Sequence, residues 1–187
     1  MKIGVLSLQG NFDEHINRLS SFNVETIKVK NKSSLLECDG LIIPGGESTT
    51  MSKMLDFNNL RDTIVELKDR INIMGVCAGM ILLSNTTNYH NLETLNIMDF
   101  KVERNGWGRQ IFSFNQTIET SLSKDKFTGT FIRAPKVVSY SKSLKCLSEI
   151  KSTPILLSDG RHIGCAFHLE YSNDNSIYEY FLKLIRN

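Results

Sequence analysis

At 187 residues, 41% hydrophobic and 22% charged, the chain suits one soluble globular domain whose core needs no disulfide or metal staple. A net charge of +2, scattered rather than blocked, argues against a nucleic-acid or membrane partner. No apolar run reaches bilayer length, the N-terminus lacks a signal-peptide pattern, and Cys38, Cys77, Cys146 and Cys165 form no C-x-x-C pair; the chain reads as cytoplasmic, with free thiols.

Residues 2–8 are an apolar strand ending at the turn signal Gln9-Gly10, followed by a helix from Phe12 to about Phe22 with Ile16 and Leu19 on one face. Val24–Val29 is a second strand, and Gly40–Ile43 a short buried one that stops at Pro44-Gly45-Gly46. Residues 48–69 are helical with a break near Phe57-Asn58-Asn59, Ile71–Val76 is a strand, and a helix runs from Ala78 to about Ser84. The second half changes character. Segments 99–104, 110–119, 127–133, 136–140, 154–158 and 161–167 read as strands, the first five joined by short turns, and 174–186 as a closing amphipathic helix. Strands alternating with helices predict a mostly parallel sheet covered on both faces, here with an antiparallel excursion: one α/β domain over 1–187.

Gly75-x-Cys77-x-Gly79, between a strand and a helix, has the spacing of a nucleophile elbow with Cys in place of Ser. Such a turn exposes the central side chain on strained backbone at a helix N-terminus, where the dipole favours thiolate. The N–H of Ala78 then points toward any oxyanion formed at the thiol. Taken alone, the pattern fits a buried structural cysteine between packing glycines equally well. For Cys38, Cys146 and Cys165, which lack flanking turn chemistry, a packing role is the better reading.

His168 and Glu170 follow an apolar strand. In an extended chain, residues two apart share a face, so the carboxylate can orient one ring nitrogen and leave the other to serve a thiol as base and acid. By itself this is the pattern of a surface ion pair. Its conjunction with the elbow matters, because both segments end strands, and functional groups gather at the carboxyl ends of parallel strands. His15, His90 and His162 have no matched partner and read as solvated or loop histidines. Pro44-Gly45-Gly46-Glu47-Ser48-Thr49 also joins a strand to a helix; the Gly46 N–H suits a second oxyanion donor, and Ser48 or Thr49 a helix cap. The segment lacks the Gly-Lys-Ser/Thr ending of a phosphate loop.

Gly4-Val5-Leu6, Leu8-Gln9-Gly10, Pro44–Met51, Cys77-Ala78-Gly79, Val102–Asn105, Gly108-Arg109-Gln110, Phe131–Pro135 and Phe167-His168 with Glu170, taken together and in this order, resemble the class I (triad) glutamine amidotransferases. Within them the match narrows to glutaminase subunits of pyridoxal 5′-phosphate synthase. The resemblance implies a flavodoxin-like α/β three-layer fold and hydrolysis of L-glutamine by Cys77, His168 and Glu170. It implies a glutamine site of Gly46, Glu47, Ser48, Arg104, Ile132 and Arg133, with Gly46 and Ala78 as the oxyanion hole. Arg104 or Arg133 suits the α-carboxylate, because a guanidinium grips a planar carboxylate in a fork. No metal or bound cofactor is expected. The implied partner is a (β/α)8-barrel synthase subunit assembled as a dodecameric core with twelve docked glutaminase subunits, without which family members are poorly active. Leu169 stands where the family has proline, which implies less preorganisation around His168, and Trp107 stands at a position that is commonly Phe. A different cysteine hydrolase on the same elbow, or a non-catalytic subunit that kept the scaffold, are the rival readings.

Overall fold

The computed structural model describes residues 1–107 and 113–187. The first half runs β1 (Lys2–Leu6), α1 (Phe12–Leu19), β2 (Glu25–Val29), α2 (Lys32–Leu36), β3 (Gly40–Ile43), α3 (Ser48–Phe57), α4 (Arg61–Leu67), β4 (Asn72–Val76) and α5 (Ala78–Leu83). The second half adds β5 (Ser84–Thr87), β6 (Met98–Glu103), β7 (Ser113–Ile118), β8 (Phe127–Ile132), β9 (Lys136–Tyr140), β10 (Lys145–Ile150), β11 (Thr153–Ser158) and β12 (Ile163–Cys165). A 3₁₀ turn at Leu169–Tyr171 and α6 (Ser176–Arg186) close the chain.

Seven strands form the main sheet in the order β10-β11-β12-β4-β3-β1-β2. Strands β2, β1, β3, β4 and β12 run parallel, and β11 and β10 extend one edge antiparallel. The parallel order is that of the doubly wound, flavodoxin-like sheet, whose ligands bind beyond the carboxyl ends of the strands. Both faces are covered. Ile43 pairs in register with Gly75, whose open side faces Leu83 of α5; Gly40, three residues earlier and therefore on the other face, opens on Phe181 and Ile185 of α6. This explains why Gly40–Ile43 and Asn72–Val76 are buried throughout rather than at alternate positions.

The excursion is two smaller sheets. One has the order β5-β6-β9, with β5 parallel to β6 and β9 antiparallel to it; the other is the β7–β8 hairpin. Phe114 of the hairpin stacks on Phe131, with ring centroids 4.6 Å apart, and Phe131 meets Trp107 and Phe167. That aromatic cluster seats the hairpin against the main sheet.

Several boundaries differ from the sequence expectation. Helix α1 stops at Leu19 rather than Phe22, because the Ser20 and Ser21 hydroxyls donate to the carbonyls of Asn17 and Arg18. The break near Phe57–Asn59 is present, with Asn59 at φ 53° between α3 and α4. Helix α2 is five residues long, held by a reciprocal cap between Asn31 and Ser34 rather than by periodicity, and neither it nor β5 and β10 is legible in the sequence. The strand expected over 110–119 is observed as β7 from Ser113; residues 110–112 lie outside the described residues, as does the Gly108-Arg109-Gln110 motif. The strand expected over 161–167 shortens to β12, since Ala166 N–H bonds the Ile155 carbonyl and His168 N–H turns to the Thr130 carbonyl of β8. Among the described residues no helix is long and apolar enough to cross a membrane.

Candidate active site

Cys77 stands between β4 and α5 with φ 50° and ψ −102°, a conformation that non-glycine residues rarely adopt. Two bonds hold it there: its N–H donates 2.8 Å to the Cys165 carbonyl, and its own carbonyl accepts from Ile81 N–H at 3.2 Å. The flanking glycines are required by close approach. A Cβ on Gly79 would stand 2.0 Å from the Ile43 carbonyl oxygen, and one on Gly75 would stand 2.5 Å from that of Gly79. Strand, helix and neighbouring strand therefore meet backbone to backbone at the elbow. Ala78, the first residue of α5, carries an N–H with no acceptor inside its own helix.

His168 and Glu170 come together, but not along an extended strand as expected. The 3₁₀ turn starts directly after His168 and folds Glu170 back, so that the His168 Nδ1 and Glu170 Oε1 lie 2.7 Å apart. Leu169 opens this turn and is 2% exposed. The imidazole lies over Gly45, where a Cβ would come within 2.4 Å of its Cε1, and it stacks on Tyr171 with centroids 5.7 Å apart. Burial opposes the imidazolium, but hydrogen bonds and charge from Cys77 and Glu170 prevail and raise His168 to about 10. Burial likewise opposes the Glu170 carboxylate, and the hydrogen bond from His168, the largest of the opposing influences, helps overcome it, leaving its pKa lowered. The imidazole thus sits between a carboxylate and the Cys77 sulfur, which also lies 3.6 Å from the Ile132 carbonyl oxygen.

Neither Ser48 nor Thr49 caps α3. Glu47 does, accepting from the N–H groups of Thr49 at 3.3 Å and Thr50 at 2.7 Å and from both threonine hydroxyls. Partial burial works to raise its pKa, and these bonds outweigh it, holding Glu47 at about 2. Glu47 also pairs with Arg104, whose guanidinium lies 5.0 Å from the centre of the Tyr89 ring. The capping duty thereby frees Ser48, whose hydroxyl has no hydrogen-bond partner among the described residues. Glu47 N–H donates 2.9 Å to Gln9 Oε1, and Gly10, at φ 94°, passes so near Gly45 that a Cβ would lie 1.9 Å from its carbonyl oxygen.

Cys77, Ala78, His168, Gly46, Glu47, Ser48, Arg104, Ile132 and Arg133 all line one cavity of about 590 Å³, beyond the carboxyl ends of the parallel strands. Glu170 stands behind His168, outside the lining. A cavity of this size accepts a small ligand. Asn11, Ile81, Asn105, Ser113 and Tyr171 line it too and went unnamed as site residues in the sequence. For Asn11 a signal existed: it follows the Gln9-Gly10 turn at the end of β1, and its amide donates to Tyr171 Oη at 3.0 Å and Glu170 Oε1 at 3.4 Å. Tyr171 and Ser113 had none.

Two histidines need correction. His15 is fully buried, with Nδ1 2.8 Å from the Tyr178 hydroxyl, and His162 is 4% exposed, its Nδ1 accepting from Ile73 N–H at 3.2 Å. His15 lies on the buried face of α1, three residues after Phe12 and four before Leu19, and tertiary packing supplies the partners of both histidines. His90 is exposed. Cys38 and Cys165 are buried free thiols whose pKa values burial pushes up, Cys38 to about 11.

The sequence profile of the SNO glutamine amidotransferase family matches residues 5–187. Pyridoxal 5′-phosphate synthase subunit PdxT of Thermotoga neapolitana is 40% identical over the whole of both chains, and the protein of that name from Thermosipho africanus is 41% identical, also end to end. A solved glutamine amidotransferase superposes with a TM-score of 0.93 at 33% identity, over 99% of each chain. The structure of PurLQS from Thermotoga maritima, at 12% identity and TM-score 0.68 over 97% of each chain, shares the fold. With the profile spanning nearly every residue and full-length relatives at this identity, the chain belongs to the SNO glutamine amidotransferase family.

Proposed function

We propose that the chain is the glutaminase subunit of pyridoxal 5′-phosphate synthase, one glutaminase domain that hydrolyses L-glutamine and hands the ammonia to a synthase subunit for vitamin B6 synthesis. The observation that carries this reading is the Cys77–His168–Glu170 arrangement at one cavity, in a chain whose end-to-end relatives bear that subunit's name. In it the Cys77 thiolate attacks the side-chain amide carbon of glutamine. The N–H groups of Gly46 and Ala78 receive the oxyanion, each such donor being worth about 3 kcal/mol in the transition state. The raised His168 holds a proton at neutral pH and gives it to the departing nitrogen; ammonia leaves and a thioester remains. His168, now neutral, takes a proton from water, and the hydroxide releases glutamate. Glu170 keeps the imidazole oriented throughout. Arg104 or Arg133, both in the cavity lining, holds the α-carboxylate, and Ser48, Glu47 and Ile132 complete the glutamine site.

The synthase partner is read as the (β/α)8-barrel subunit that the sequence resemblance implies, in the same dodecameric arrangement. The test is ammonia release from glutamine with that partner present. Cys77→Ala is expected to abolish it, and His168→Asn to do the same while still docking. A glutamine analogue carrying an electrophile is expected to label Cys77 alone. Wild-type turnover by Cys77→Ala overturns the assignment.

A further inference from the structure

Behind the triad lies a buried contact that the reaction above does not use. The Glu170 side chain has no exposed surface, and its Oε1 is taken by His168 Nδ1 at 2.7 Å and by the Asn11 amide at 3.4 Å. Its Oε2 is buried with no hydrogen-bond partner among the described residues. The atom facing it is His15 Nε2 of α1, 3.6 Å away, fully buried and likewise without a hydrogen-bond partner. On the other side of the ring, His15 Nδ1 lies 2.8 Å from the Tyr178 hydroxyl of α6. Two helices thus meet at the inner oxygen of the carboxylate.

The protonation states follow from the surroundings. Burial keeps the Tyr178 hydroxyl protonated by pushing its pKa up. Burial also lowers His15 to about 4, against the pull of Glu170, so the ring is neutral and carries one proton. With that proton on Nδ1, the Nε2 lone pair would face a buried carboxylate oxygen. With Tyr178 donating to Nδ1, the proton sits on Nε2 and points at Oε2. The second arrangement is the attractive one, and at 3.6 Å the gap is longer than a hydrogen bond yet too short for an intervening water.

We propose that His15, oriented by Tyr178, is a positioning residue for glutamine hydrolysis, its Nε2–H holding the inner oxygen of Glu170 so that the outer oxygen stays on His168. This rests on the reading that Glu170 orients the catalytic histidine. No proton moves through His15; it acts as a fixed dipole on a carboxylate that would otherwise be anchored from one side only. The titratable or charged groups around Glu170 are His168 and Tyr171 on its own turn, His15 on α1, Tyr178 on α6 with Arg18 5.9 Å from its ring centre, and Cys165 on β12. Removing the Nε2–H takes the positive end of a dipole away from a carboxylate oxygen 3.6 Å from it, so the Glu170 pKa rises.

His15→Gln, His15→Asn and His15→Leu test this in the complex with the synthase partner. A glutamine amide nitrogen falls near the position of Nε2, an asparagine amide nitrogen near that of Nδ1. His15→Gln is expected to retain kcat within about threefold, whereas His15→Asn and His15→Leu lose about tenfold as the N–H dipole facing the buried carboxylate is removed, with KM within about twofold. The acid limb of the kcat profile moves up by about one pH unit in the latter two and stays in place in His15→Gln. Circular dichroism and partner binding report whether each variant folds; if His15→Leu does not, the Gln and Asn pair decides. Equal activity of those two, or an acid limb that stays put while kcat falls, overturns the inference. A wild-type complex that releases no ammonia from glutamine overturns the functional reading, and this inference with it; an active wild type with indistinguishable variants overturns the inference alone.

Discussion

The two sides of the cavity are built differently. The main parallel sheet contributes Cys77, His168 and Glu170, between 4% and 5% exposed, on backbone locked by close contacts. The smaller sheets and their loops contribute Arg104, Ile132 and Arg133, of which Ile132 is 38% exposed and Arg133 is exposed as well. A reaction centre has to hold its geometry before substrate arrives, and packed backbone does that. The rim has to admit glutamine and adjust to it. Damage to the sheet side is therefore expected in kcat, and damage to the rim in KM.

The sharpest way to break that division is Gly45→Ala. The added methyl meets the His168 ring at 2.4 Å, and the ring is the movable partner. A displacement near 1 Å at a catalytic base lowers kcat about 100-fold. KM and melting temperature are expected to change little, and steady-state kinetics with a thermal melt measures all three. A KM effect larger than the kcat effect removes the distinction between the two sides. Arg104→Ala is the counterpart on the rim: KM rises about tenfold or more with kcat within about threefold, read from the same assay. Arg104→Lys recovers only part of the loss, because an ammonium cannot supply the fork.

The same contrast decides what could be read from sequence. The elbow, the Gly45-Gly46 loop and the pair His168 and Glu170 were legible because close approach and strand-end chemistry dictate residue types at fixed spacing. The parallel order followed from strand–helix alternation. What was missed is held by long-range contacts: β10 is recognisable only beside β11, Tyr171 reaches the cavity only because a 3₁₀ turn replaces the strand at His168, and His15 gains its partners from α6 and that turn. Glu47 went unrecognised as a cap because its carboxylate serves the helix and Arg104 together, a double duty that local pattern does not reveal.

Glu47→Gln sharpens the comparison at the seam between the two sides. Removing the charge from a cap costs about 1 kcal/mol, a fall of about 2–4 °C in melting temperature at pH 7 for a domain of this size. The ion pair adds little, since the Glu47 side chain is 40% exposed. Because the folded pKa is depressed to about 2, the stabilisation is present above the ordinary carboxylate range and is lost as pH falls from about 4 toward 2. Melting temperatures of wild type and variant are expected to converge over that interval; a gap that widens on acidification contradicts the assignment.

The smallest effect expected is that of Leu169→Pro, which installs the proline that the sequence resemblance implies at this position. Leu169 is the first residue of the 3₁₀ turn, where a missing N–H is tolerated, and His168 before it, at φ −81° and ψ 89°, lies outside the helical region that a following proline disfavours. Proline would limit the unfolded chain, a gain of about 0.4–1 kcal/mol. It would also remove one buried carbon, because Leu169 is 2% exposed and belongs to the core, a loss of about 0.8 kcal/mol. The two nearly cancel, so melting temperature is expected to stay within about 3 °C and kcat within about twofold. Leu169→Ala lacks the compensating gain and costs about 2–5 kcal/mol through the cavity it leaves. Leucine here anchors the turn by burial where proline would anchor it by covalent constraint. A loss of kcat in Leu169→Pro well beyond twofold would mean that the leucine side chain itself holds His168 in line, and the sheet side would then owe its rigidity to side-chain packing as much as to its backbone contacts.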